Sequence, residues 1–331
     1  MYSVYDDPAW VEERIRERDE RNKQKRLNSR RPGTISIDAR GFTDPLSRLA
    51  TTVTLKIERE GSRLLPGSPI TIDISVILCQ LTQTFNLIRF INGEQTRFEN
   101  YAYRQQYSFV ILPLIRTMID GLYNCTSLLD DPSRGLSFRV SGYYRMREGL
   151  RADEEKYSTD PRWTEHLANA RTHLELGMRA DNVTNADLDN AKNKWPLLGE
   201  YLGRKPDTPH KKFLRELTLG FWKEYSSVSH ASYDGLVNIF PFIAPERIPH
   251  EMREGAADAA ERNIAMHIGR AAGLLLCLLT EIQHYFGFEN ADVDQRLGEI
   301  WAAILPVIEV RELYDLRYKS LLRRPPAERG K

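Results

Sequence analysis

The segment from 250 to 287 constrains the fold more than any other stretch of this chain. It reads HEMREGAADAAERNIAMHIGRAAGLLLCLLTEIQHYFG, at helical spacing throughout, with apolar residues on nearly every side from Ala271 to Leu279. A helix that is apolar all round must be enclosed by other helices or by lipid. The run AAGLLLCLLT at 271–280 is too short to cross a bilayer and follows Arg270 directly. The expectation is a central buried helix.

The rest of the chain supplies helices to enclose it. Asp44-Pro45 reads as an N-cap and first helical residue. Leu46, Leu49, Val53 and Ile57 follow at helical spacing, and Gly61 is placed to close the segment. Val53, Leu55 and Ile57 also alternate with Thr52, Thr54, Lys56 and Glu58, and Ile70, Ile72 and Ile74 alternate too. Helix is the preferred reading, with a small hairpin across 52–75 as the alternative. Further helices are predicted over 72–92, 99–130, 136–156, 161–180, 210–233 and 292–321. Pro113 should kink or restart the third helix and Pro306 should bend the last. The sum is an all-α bundle of long antiparallel helices over 34–322, preceded by a charged arm at 1–33 and followed by a loose tail at 323–331.

Composition removes several function classes. Lys+Arg at 47 against Asp+Glu at 46 gives a formal charge of +1, so nucleic acid would have to be held by a local patch. Lys23, Lys25, Arg26, Arg30 and Arg31 gather in the arm, but no aromatics interleave for stacking, which favours a solvated lead-in. Cys79, Cys125 and Cys277 have no paired spacing and fit a reducing compartment. The N-terminus lacks an apolar leader, so the expected setting is cytoplasmic, away from membrane.

Two polar clusters interrupt the helical text. Arg116, Asp120 and Asn124 recur every four residues and stack on one helix face, where Arg116 and Asp120 can pair. That face either meets water or lines a cleft. The second cluster is Tyr225-Ser226-Ser227-Val228-Ser229-His230. His230 shares a face with Lys223 and Ser226 in the last turn of the 210–233 segment, where a helix dipole favours imidazolium. With Ser226 and Ser229 it could bind an anion or act as a general acid, or it could merely cap its helix. If the 116–124 helix packs beside the 210–233 helix, Arg116 and Asp120 approach Ser229-His230. His166 and His173 lie about 10 Å apart along a helix, too far for one zinc. Metal, phosphate-loop and nucleophile-elbow motifs are absent, so neither metal nor cofactor is expected.

LIRTMIDGLYN at 114–124, followed by YSSVSHASYDGL at 225–236, resembles a family of bacterial all-α proteins of unknown function that is in turn distantly similar to HEPN domains. The resemblance covers roughly residues 70–285. It implies a helical, dimeric module of toxin–antitoxin or phage-defence systems, acting on RNA or a nucleotide or on a partner protein, and in many members a metal-independent ribonuclease. The HEPN hallmark is an Arg and a His separated by four to six residues. Here His230 fills the histidine position, Tyr225 stands at the shorter spacing, and Lys223 stands at the longer one, inside the frame, where the pattern has Arg. Lysine does not reproduce the planar bidentate grip on phosphate, so the dyad is degenerate. The reading from the other class is a non-catalytic helical interaction protein whose polar clusters lock helix packing.

Overall fold

The computed structural model describes residues 40–64, 70–92, 110–190, 195–204, 208–218, 225–226, 250–288 and 291–322, all within one compact unit, Ser36–Lys331. Every long regular element among the described residues is a helix. The main ones are α1 (Arg40–Leu64), α2 (Ile70–Asn92), α3 (Ile111–Asp130), α4 (Gly135–Tyr157), α5 (Thr164–Ala180), α6 (Asn185–Asp189), α7 (Leu198–Gly203), α8 (Pro209–Leu217), α9 (His250–Phe286), α10 (Ala291–Ile304) and α11 (Ile308–Leu313). A π-helical turn over Tyr314–Tyr318 follows α11.

Burial settles the helix-or-hairpin question on either side of 65–69, which lie outside the described residues. Leu46, Leu49, Val53 and Ile57 are buried while Leu55 is 43% exposed; Ile70 and Ile74 are buried while Ile72 is 68% exposed. A repeat of three to four residues is a helix repeat, and a strand would have buried the alternating set together. Two local signals meant something else. α1 begins at Arg40, so Pro45 lies inside it. It also runs past Gly61, which permits a close approach: a Cβ there would lie 2.7 Å from Thr71 Cγ2. Elsewhere the punctuation holds. Pro113 sits in the first turn of α3, Thr208 caps α8 by accepting from Lys211 N–H, and Pro306 separates α10 from α11.

α9 is the centre, packed against α1, α2, α3, α10 and α11. Leu274 to Leu279 are all buried, on every side of the helix. Direction follows from cross-contacts. Ser47 Oγ donates to Asn86 Oδ1 at 2.8 Å and Gly61 faces Thr71, so α1 and α2 are antiparallel. Gly121 faces Leu81, and Arg139, just beyond α3, reaches Asp73 at the start of α2, so α2 and α3 are antiparallel as well. Gly61 also faces Phe286. α9 therefore ends where α1 and α3 end and runs parallel to both. The Cys125 thiol feels the Glu281 charge, which gives the same register.

The C-terminal segment lies along α9 nearly residue for residue. A Cβ at Gly269 would meet Val307, one at Gly273 would meet Val310, and Arg317 meets Glu281. Small residues every four positions on α9 open the groove that the valines fill. Helices α4 to α6 form a satellite with its own small core of Val140, Leu174, Met178, Val183 and Leu188. Arg139 anchors that satellite to the bundle by bridging Asp73 of α2 and Asp181.

Candidate functional site

Three groups of polar side chains punctuate the bundle. The first is the outer face of α3. Arg116 Nη1 pairs with Asp120 Oδ1 at 2.5 Å, as the spacing predicts; the Arg116 side chain is 19% exposed and that of Asp120 45%. Partial burial raises the Asp120 pKa and Arg116 offsets this only in part. Asn124 has a partner on another segment. Its carboxamide oxygen accepts the indole N–H of Trp195 at 2.9 Å, while Tyr123 next to it donates to Pro196 O at 2.7 Å. Asn124 is a tether between α3 and the segment leading into α7.

The second group stands at the middle of α9. Tyr225 is fully buried, and its hydroxyl lies 2.8 Å from His267 Nδ1 and accepts from Arg270 Nη1 at 3.1 Å. Burial, then the Arg270 charge, press the His267 pKa down to about 3, so the imidazole is neutral. Ser226 is buried beside Tyr225. Lys223, Ser229 and His230 lie outside the described residues, so the predicted approach of Arg116 and Asp120 to Ser229-His230 does too. α8 does pack on α3, but at that helix's far end, through His210 and Thr126.

The third group is at that far end and was not foreseen. His210 Nε2 is 3.0 Å from Thr126 Oγ1 and its Nδ1 is 3.2 Å from Tyr201 Oη. Asp130 Oδ2 lies 3.6 Å from Nδ1, too far for a hydrogen bond. Burial, followed by the charges of Arg317 and Lys211, lowers the His210 pKa to about 3, so it stays neutral beside Asp130. Nearby, Glu281, 3% exposed, takes Arg317 in a two-nitrogen grip. Burial opposes the Arg317 charge, and the Glu281 carboxylate more than offsets it, so its pKa rises. Glu281 is the single acid between Asn263 and Phe288. A carboxylate alone in an apolar helix announces a buried cation partner, a signal the sequence did carry.

Among the described residues no three metal-ligating side chains stand together. No protein-family model, curated protein or solved structure matches the chain.

Proposed function

We propose that this chain is an RNA-directed effector of the toxin or phage-defence kind, a helical protein that cleaves RNA in the cytoplasm with neither metal nor organic cofactor. The observation that carries the reading is the guanidinium of Arg270 on the hydroxyl of Tyr225. Tyr225 stands five residues before His230, within the spacing at which the HEPN pattern has its arginine, and Arg270 returns a guanidinium to that point from another helix. Because Arg270 is buried, it contributes positive potential at Tyr225 and does not grip substrate. In the reaction His230 takes the proton of a ribose 2′-hydroxyl, whose oxygen attacks the adjacent phosphorus. The P–O5′ bond breaks, the leaving oxygen is protonated, and Lys223 stabilises the charge on the phosphoryl oxygens. The products are a 2′,3′-cyclic phosphate and a 5′-hydroxyl. The test is end-labelled RNA incubated with the full chain in chelator. Cyclic-phosphate ends that vanish in His230→Ala and increase in Lys223→Arg are expected; an intact RNA that the parent protein neither cuts nor binds would sink the proposal.

A second reading has its own observation. Arg116 pairs with Asp120, Asn124 with Trp195, and Tyr225 with His267, which is how clusters that only lock helix packing behave. On that reading the chain is a helical interaction protein, and His230→Ala leaves its RNA behaviour unchanged.

A further inference from the structure

α2 presents an apolar stripe to the outside. Ile72 is 68% exposed, Val76 61%, Leu87 46% and Phe90 57%, and Cys79 and Gln83 are exposed between them. These six residues recur at steps of four, three, four, four and three, the spacing of a helix seam that packs on another helix. No charged residue occurs from Ile74 to Ile88. The opposite face of the same helix, with Ile74, Leu78, Leu81, Phe85 and Ile88, is wholly buried in the bundle. α2 is thus apolar on both sides and covered on one. Isolated apolar side chains on a surface are ordinary, whereas a continuous uncharged stripe marks a contact surface.

We infer that the outer face of α2 is the interface through which two copies of this chain associate, helix against helix about a two-fold axis. The stripe is symmetric about the level of Leu81. In an antiparallel pair Ile72 lies opposite the partner's Phe90, Val76 opposite Leu87, and Cys79 opposite Gln83, so one surface complements itself as a two-fold requires. It is about 27 Å long at the helical rise. Its residues offer on the order of 600 Å² per copy, so the pair buries about 1,200 Å², the lower end of the range for specific interfaces. With no charge on the stripe, nothing on it repels its own copy. α2 is also long and apolar enough to cross a membrane, but 39% of that span is already buried in the protein. Its buried face could meet lipid only by leaving α1, α3 and α9, which favours a second copy as the occupant. The inference does not depend on any RNA chemistry.

Sedimentation of the full chain at micromolar concentration tests it, with Val76→Glu/Leu87→Glu as the variant. Both positions are exposed, so the variant should melt within a few degrees of the parent. A dimer that becomes a monomer in the variant is the expected result. Cys79 gives a second reading on the unaltered chain, since Cys125 and Cys277 are buried. Its alkylation by N-ethylmaleimide should slow several-fold as protein concentration rises through the dimerisation range. A monomeric parent, a dimer indifferent to both glutamates, or a Cys79 whose reactivity ignores concentration overturns the inference. So does a monomer that floats with phosphatidylcholine vesicles through the same stripe, which would make its occupant lipid.

Discussion

Arg317 closes on Glu281 through two nitrogens, Nε at 2.5 Å and Nη2 at 2.9 Å from the two carboxylate oxygens, and it does so from a π-helical turn. Val307 and Val310 face Gly269 and Gly273, so the C-terminal segment steps along α9 almost in register. The wider turn at Tyr314–Tyr318 holds one more residue per turn than an α-helix, and so re-aims the side chains that follow. It seats Tyr318 in the core in stacked contact with Trp301 and delivers Arg317 to a carboxylate that α9 has carried into an apolar interior.

A charge pair at that depth is costly to break and cheap to replace whole. Arg317→Met should destabilise the protein by about 3–5 kcal/mol, because Glu281 would be left buried without its partner. Glu281→Met/Arg317→Met should recover most of the loss. Urea unfolding of the four proteins measures the coupling. A single variant of near-parental stability would mean that water reaches the pair.

The α3 face behaves differently. Asp120→Ala should cost no more than about 1 kcal/mol, since its carboxylate is nearly half exposed. Asn124→Ala should cost about 1–3 kcal/mol, because it strands the indole N–H of Trp195, a residue 8% exposed. Thermal melts rank the two. The reverse order would show that the Arg116–Asp120 pair, and not the tether to Trp195, carries this face.

Gly121 lies between Asp120 and Leu122 on α3, and a Cβ there would stand 2.3 Å from Leu81 Cδ1 and 3.2 Å from Cγ. Gly121→Ala should therefore destabilise by about 1–3 kcal/mol through overpacking, despite a helix-propensity gain of about 1 kcal/mol. In a Leu81→Ala background the same change should be neutral or stabilising. If Gly121→Ala stabilises the parent protein, α2 and α3 can separate more easily than this contact implies.

The helices were legible because their apolar residues repeat every three to four positions with proline at the breaks, as around Pro113, Pro209 and Pro306. Where the sequence was ambiguous, as at Val53-Thr54-Leu55-Lys56-Ile57, the same residues satisfied two periods, and only the neighbouring helices decided which set was buried. The polar clusters were found as residue types, and the Arg116–Asp120 pair from its spacing, but the partners that Asn124 and Tyr225 have on other segments were not. Asn124 looks like the third member of the Arg116–Asp120 series, yet its partner Trp195 is 71 residues away. Tyr225 looks like part of the serine–histidine segment, yet it is held by His267 and Arg270 on α9. His210 was passed over because Thr126 and Tyr201, its contacts, are remote or unremarkable in sequence. Glu281 alone gave a local sign, a single acid in an apolar run.

The two buried histidines set an acid limit on stability. His210 and His267 each titrate near pH 3 in the folded protein, against about 6.5 when unfolded. Below pH 6.5 the unfolded chain takes up protons that the folded chain refuses. Their contribution is therefore complete above about pH 6.5 and is lost as pH falls toward 3, by up to about 1.4 kcal/mol per pH unit for each histidine. Asp73, Asp120 and Asp130 have raised pKa values, chiefly through burial. They act in the opposite sense, since the folded state gains protons there first, and this blunts the loss in the carboxylate range. The clean window is pH 5 to 6.5. Unfolding midpoints in urea across that window should fall with pH in the parent protein, fall about half as steeply in His210→Gln, and stay nearly flat in His210→Gln/His267→Gln. A slope that persists unchanged in the double variant would place the titrating groups elsewhere. Tyr225 and Thr126 would then be hydrogen-bonded to imidazoles that accept protons in the folded state.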